Sequence, residues 1–326
     1  MTKMSTSRAR SLLAITGIAA LAATSACSTG NEPAAAGGAG SSASAGGKCV
    51  IGMTQINQTA AFFTQMNEGA QEAAKAIGCD LTIANANNDS SKQNSDIENF
   101  VTQNVTGLIV VAIDVNGVVP AVKAARERGI KVVAIDAKLA EGTVDTFVGV
   151  DNEKAGNEAA KWMIDKGLVK GKKYGVVDAK NSFIQNQRED SFRKAIDTAG
   201  ATYTQSVSGD NVQEKAATAA QNLVTAQPGL DFVYTTGEPA TVGAVSALGS
   251  NSSTKIVGWD LTREVISGID SGAVTAVIQQ DPKTEGKEAV KEIKAVLGGA
   301  SAKGFIDVPI TIVTKANVDP YRKVFP

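Results

Sequence analysis

From Cys49 onward the chain alternates short apolar runs with amphipathic stretches of helical period, and it goes through this plan twice. The first pass reads CVIGMT (49–54), a helix around 62–77, DLTIANA (80–86), a helix around 92–103 and GLIVVAI (107–113). A helix near 117–128, then KVVAID (131–136) and FVGVDN (147–152), complete it. The second pass opens with a helix near 153–166, KKYGVVDA (172–179), a helix over 184–199 and ATYTQSVS (201–208). A helix near 212–225, DFVYTT (231–236), a helix near 240–248 and KIVGWD (255–260) follow. AVTAVIQQ (273–280), a long helix from Pro282 to about 297, and FIDVPITIVT (305–314) close the pattern. These runs are too apolar for strands with one wet face, so helices must cover both sides of a parallel sheet. Two doubly wound α/β units fit better than one continuous sheet.

Several function classes fall away at this point. The turn after the first strand is MTQINQTAAFF, without the G-x-G-x-x-G fingerprint, and no phosphate loop ending in Lys-Ser/Thr occurs, so no nucleotide cofactor is expected. The chain has no histidine, which removes histidine metal sites, a Ser-His-Asp arrangement and histidine proton shuttles; no metal and no cofactor are expected. A formal charge of -1 argues against nucleic acid as a partner.

The N-terminus reads MTKMSTSRARSLLAITGIAALAATSAC. Lys3, Arg8 and Arg10 precede an apolar core over 11–23, too short to span a bilayer comfortably, and Thr24, Ser25 and Ala26 lead into Cys27. This layout resembles a bacterial lipoprotein signal, in which cleavage falls immediately before a cysteine that carries lipid. It departs from that pattern at Thr24, where a leucine or branched side chain is usual. The resemblance implies removal of residues 1–26 and a lipid anchor at Cys27, with roughly 0.8 kcal/mol for each methylene buried in the membrane. Residues 28–47, STGNEPAAAGGAGSSASAGG, bury too little to offset the entropy of ordering them, so 27–48 reads as lipidated cysteine plus flexible linker. Cys49 and Cys79 open or precede the first two strands. If those strands are parallel neighbours, the thiols meet; a disulfide and two separate buried thiols both fit the sequence.

The chain from Cys49 almost to its end also carries NQTAAFFTQMNEGAQEAAKAIG, GLIVVAID, VVAID, VGVDN, QREDSFRKAI, TTGEPATVGAVSAL, IVGWD and VIQQDP in that order. It thereby resembles the ribose- and galactose-type periplasmic sugar-binding proteins of ABC transporters. The resemblance implies the type I periplasmic-binding-protein fold: two Rossmann-like lobes with parallel sheets, three crossovers and a ligand cleft between them. Residues 49–151 and 282–308 are expected in the N-terminal lobe, and 152–281 and 309–326 in the C-terminal lobe. Crossings are expected near 150–152, 280–281 and 308–310.

The same resemblance places ligand contacts. Phe62 and Phe63 follow the first strand, and an aromatic face can cover the C–H side of a sugar ring; one is expected at the ligand and one partly in the core. Thr54, Gln55 and Asn57 are candidates for hydroxyl groups. Asp136 matches an aspartate that accepts from sugar hydroxyls, but Ala137 stands where ribose binders carry an arginine. Arg188 matches an arginine whose planar fork can bridge two ligand oxygens. Asn211 aligns with a variable cleft position. Gly237 replaces the usual asparagine, so either Glu238 takes over the polar contact or the glycine makes room for a larger ligand. Trp259 and Asp260 form the opposite wall, the indole stacking on a ring and the carboxylate binding hydroxyls, with a purely structural tryptophan as the alternative. Gln280 offers one acceptor and two donors. Lys138 and Lys180 are nearby donors or plain surface lysines.

The expected function is therefore a solute-binding lipoprotein on the outer face of the cytoplasmic membrane. It captures a monosaccharide, polyol or similar polar solute and hands it to an ABC transporter permease, with a monomeric body and no enzymatic turnover. The alternatives are an extracellular sugar-modifying enzyme and a receptor that signals without transport.

Overall fold

The computed structural model describes residues 48–58 and 61–325. The segment expected to direct export, Cys27 and the stretch expected to be a linker up to residue 47 lie outside the described residues. The elements run β1 (Val50–Gln55), α1 (Ala61–Ile77), β2 (Asp80–Asn85), α2 (Ser90–Thr102), β3 (Gly107–Val110), α3 (Val119–Glu127), β4 (Lys131–Ile135) and β5 (Thr146–Gly149). They continue with α4 (Asn152–Asp165), β6 (Lys173–Asp178), α5 (Phe183–Thr198), β7 (Thr202–Ser208), α6 (Gln213–Ala226), β8 (Phe232–Thr235) and α7 (Glu238–Leu248). Last come β9 (Lys255–Trp259), α8 (Arg263–Ser271), β10 (Val274–Gln279), α9 (Pro282–Leu297), β11 (Gly304–Asp307), β12 (Thr311–Val313) and a 3-10 turn over Asp319–Lys323.

The strands form two six-stranded sheets with the same plan, β11-β5-β4-β3-β1-β2 and β12-β10-β9-β8-β6-β7. All pairings are parallel except β12, which runs antiparallel to β10. Each sheet is covered on both faces. Ile51, Met53, Ile109, Val133 and Ile135 face α1 and α9 on one side of the first sheet, whereas Leu108, Val110, Val132 and Ala134 face α2 and α3 on the other. The second sheet divides in the same way between two clusters, one around Leu223, Val233 and Ile256 and one around Phe192, Tyr234 and Trp259. This two-sided burial is why the strands read as near-continuous apolar runs.

The chain crosses between lobes three times, and local chemistry fixes two of the crossings. After β5, Asp151 caps α4 by accepting from Lys154 N; after β10, Asp281 caps α9 by accepting from Thr284 N, with Pro282 at the first helical position. FIDVPITIVT, the run within which a crossing is expected near 308–310, forms two strands: β11 pairs with β5 in the first sheet and β12 with β10 in the second, the chain passing over through Pro309. The helix α8 was not expected from sequence; it is short, capped by Thr262, and ends on Gly272 in the left-handed region.

Register brings the two cysteines together. Val50 pairs with Asp80, so the residue before each strand lies side by side, and Cys49 and Cys79 are joined as a disulfide with Cα atoms 4.7 Å apart.

Candidate functional site

Parallel strands of a doubly wound sheet end on one edge, and polar residues that terminate apolar runs collect there. Both sheets end in the same device. Asp136 follows β4 with φ 61°, and Asp260 follows β9 with φ 60°. Each hands its backbone N–H to the neighbouring strand, Asp136 to Val148 O and Asp260 to Ile278 O, both at 3.0 Å. Aspartate tolerates this left-handed turn better than most side chains, and the turn releases each carboxylate from the strand pleat. The strand β4 belongs to the first sheet and β9 to the second.

Arg188 on α5 lies between them. It is 3 % exposed and donates from Nε to Asn152 Oδ1 at 2.7 Å, from Nη1 to Thr236 O at 3.2 Å and from Nη2 to Gln280 Oε1 at 3.3 Å. Asn152 begins the helix after the first crossover and Gln280 stands at the second, so one guanidinium is tied to both connections. Gln280 in turn donates from Nε2 to both carboxylate oxygens of Asp260 at 3.0 Å. Burial raises the carboxyl of Asp260, opposed by Arg188 and the Gln280 hydrogen bonds; burial likewise raises Asp136, with Arg188 opposing and Asp260 reinforcing. Burial lowers Arg188, and the two aspartates counteract it. These three groups thus sense one another across the gap between the lobes.

A cavity of about 210 Å³ opens beside this cluster. Phe62, Gln65 and Pro282 line it from one side, and Glu238, Asp260, Thr262 and Arg263 from the other. Desolvation, then Asp260 and Glu264, push the carboxyl of Glu238 up to about 7, although the side chain keeps one face in solvent. Phe62 meets Phe63 edge to face at 5.3 Å, and both also pack on the core of the first lobe.

Other expected site residues are engaged elsewhere. Trp259 does not present a stacking face: it is fully buried, its Nε1 donates to Tyr234 Oη at 2.9 Å, and the Arg188 guanidinium lies 3.6 Å above the ring. The indole is a platform for the arginine, because a cation over a π face gains in a dry site. Gln55 is buried against α1, donating to Asn67 Oδ1 at 3.0 Å. Asn57 donates to Asn88 Oδ1 at 3.2 Å. Thr54 is fully buried at the end of β1 and its hydroxyl has no hydrogen-bond partner. Asn211 is exposed and accepts from Gln185 Nε2 at 2.8 Å. Lys180 is held by Glu189 at 2.6 Å and Asp178 at 3.0 Å, and Lys138 is exposed.

Gly237 does not open space for a larger ligand. A Cβ there would meet the amide of Gln185 at 2.8–2.9 Å, and Gln185 fills that position while accepting from Thr236 Oγ1 at 2.7 Å. Sequence reasoning missed Gln185, and it missed Asn152 and Glu285 as well. Asn152 stood in the VGVDN motif but was read only as a crossing. Glu285 stands in the first turn of α9, where an acid complements the helix dipole, and it is fully buried.

Residues 51–301 match the family model described as periplasmic binding protein domain. The ribose import binding protein of Bacillus subtilis is 30 % identical over 269 residues, covering 81 % of this chain and 87 % of that protein. A periplasmic ribose ABC transporter structure from Conexibacter woesei superposes with a TM-score of 0.79 at 24 % identity, covering 86 % of this chain and 96 % of that one. The arabinose binding protein AraP of Geobacillus stearothermophilus gives 0.78 at 19 % identity, covering 84 % and 99 %. At these identities the two structures bear on the fold alone.

Proposed function

The chain belongs to the periplasmic binding protein domain family, and on that premise we propose that it captures a sugar or sugar-like polar solute between its lobes and delivers it to an ABC transporter permease. The observation that carries this reading is the Arg188 network. One buried guanidinium is tied to two lobe crossovers and faces an aspartate from each sheet. A hydroxylated solute placed there accepts from Arg188 and Gln280 and donates to Asp136 and Asp260. Only the closed arrangement makes both sets of contacts, so binding raises the closed population. A polar partner lost from such a site costs about 1–3 kcal/mol, which supplies selectivity.

No bond is broken in this cycle. The body acts as a monomer, with lobes of 49–151 plus 282–308 and 152–281 plus 309–326. Lipid at Cys27 holds it on the outer face of the cytoplasmic membrane. Replacing Cys27→Ser releases the protein into the soluble extracytoplasmic fraction; retention in the membrane fraction contradicts the anchor.

A melting-temperature screen against pentoses, hexoses, deoxy sugars and polyols tests the function, because a ligand that binds only the native state raises the midpoint. At least one class is expected to raise it, with the solute recovered unchanged by mass spectrometry. A converted solute favours a sugar-modifying enzyme. The absence of any shift across the screen removes the sugar reading and leaves the fold.

A further inference from the structure

The cavity of about 210 Å³ meets the Arg188 cluster through Asp260, and most of its remaining surface is apolar. Phe62 of α1 and Pro282 of α9 belong to helices packed on the first sheet. Val324 and Phe325 come from the segment after the 3-10 turn, which packs on the second. That segment is fixed in place. Arg322 sets its fork on Asp270 of α8 at 2.8 and 2.9 Å and reaches Asp319 at 2.9 Å. Tyr321 and Phe325 pack on the core of the second sheet, and the N–H groups of Val324 and Phe325 both donate to Tyr321 O at 3.0 Å. Val324 is nevertheless 39 % exposed, an aliphatic side chain held open at the cavity wall.

Several polar groups of the same wall are committed elsewhere. The Thr262 hydroxyl accepts from Val265 N and donates to Glu264 Oε2. Gln279 accepts from Leu261 N and donates to Gln280 O, and Gln65 donates back to Ala61 O. Asp260 differs, because through Gln280 it belongs to the Arg188 cluster as well as to this wall. A bare sugar suits such a space poorly. Its hydroxyls radiate round the ring, and those turned toward Phe62, Pro282, Val324 and Phe325 lose water without gaining partners, which is costly. One aromatic face can cover the C–H side of a ring, but apolar side chains brought from both sheets ask for more apolar surface than a sugar has.

We propose that this cavity is an annex of the solute site and takes an apolar substituent: the captured solute is a hydroxylated ring or chain that carries an uncharged alkyl or aryl group. This deepens the solute-capture reading and rests on it. The hydroxylated part keeps Asp260, Gln280 and Arg188, and the substituent lies against Val324, Phe325, Phe62 and Pro282. An apolar cavity of about 150 Å³ accommodates benzene, so about 210 Å³ has room for a phenyl group. Affinity then grows with the apolar area that the substituent removes from water. The segment after the 3-10 turn becomes a specificity element, positioned by the Arg322 fork on Asp270.

Isothermal titration of the protein with D-ribose, D-glucose and D-galactose, each beside its propyl and phenyl glycosides in both anomers, tests this. In at least one series a glycoside is expected to bind about tenfold or more tighter than its free sugar, the scale of burying one small apolar group. Val324→Ser puts a hydroxyl on the annex wall at an exposed position. It is expected to cut that preference by about threefold or more, the glycoside losing more affinity than the free sugar. Free sugars that bind at least as tightly as every glycoside in their series overturn the inference and leave solute capture standing. An unchanged preference in Val324→Ser overturns the place given to the substituent. Absence of binding by every member contradicts both readings. The titrations on the unaltered chain decide the solute class even if the variant folds poorly.

Discussion

Arg188 is the residue on which the site turns, and its effects are separable. Arg188→Ala removes the cation from a buried cluster of carboxyls and is expected to destabilise the fold by about 3–5 kcal/mol in denaturant unfolding. Arg188→Lys keeps the charge but loses the planar fork, and solute affinity is expected to drop by at least about 2 kcal/mol in calorimetry. An unchanged affinity in the lysine variant contradicts the bridging role. The acids give a pH signature. Asp136, Asp178, Asp260 and Glu285 are all raised, chiefly by burial, and Glu238 is raised to about 7. A raised carboxyl binds its proton more tightly in the folded state, so its contribution is fully present below the unfolded value and is lost as pH rises through the folded one. With no histidine in the chain, these raised carboxyls govern the window that opens above the ordinary carboxylate range and, for Glu238, reaches about 7. The ligand-free unfolding midpoint is therefore expected to fall across that window, and Glu285→Gln to flatten the fall; a midpoint that rises contradicts the assignment.

At the scale of elements, the disulfide and one helix pair invite direct tests. The Cys49–Cys79 bridge spans 30 residues of sequence between the starts of β1 and β2. By the chain-entropy estimate its loss in Cys79→Ser lowers stability by roughly 3–4 kcal/mol, measured as the difference between denaturation of the variant and of the oxidised protein. Helices α1 and α9 approach backbone to backbone: a Cβ at Gly286 runs into the Met66 carbonyl, and one at Gly69 into that of Lys283. Gly286→Ala is expected to cost about 1–3 kcal/mol and to weaken solute binding too, because Glu285 and Gln280 stand beside the displaced turn. Much of this architecture was legible. Apolar runs without a wet face announced two-sided sheets, and an aspartate at the end of such a run marked the end of a strand at both Asp136 and Asp260. What was not legible depended on contacts distant in sequence. Trp259 lies under Arg188, and Gly237 is filled by Gln185, both side chains brought in by α5 from a distant part of the chain. Pairing in separate sheets divides FIDVPITIVT into two strands at Pro309.

For the whole molecule, the central claim is that two lobes of matching strand order share one solute across their gap. The two sheets have the same strand order, and each contributes one aspartate in the same backbone conformation to the same cluster. Closure and selectivity then have a common cause, since a solute that fails to satisfy either lobe fails to hold them together. A crystal structure of the protein with a solute chosen by its melting-temperature shift tests this most directly. The account predicts that solute within hydrogen-bond distance of Asp136 on one lobe and of Asp260 or Arg188 on the other. A solute bound outside this gap, or touching one lobe alone, contradicts it.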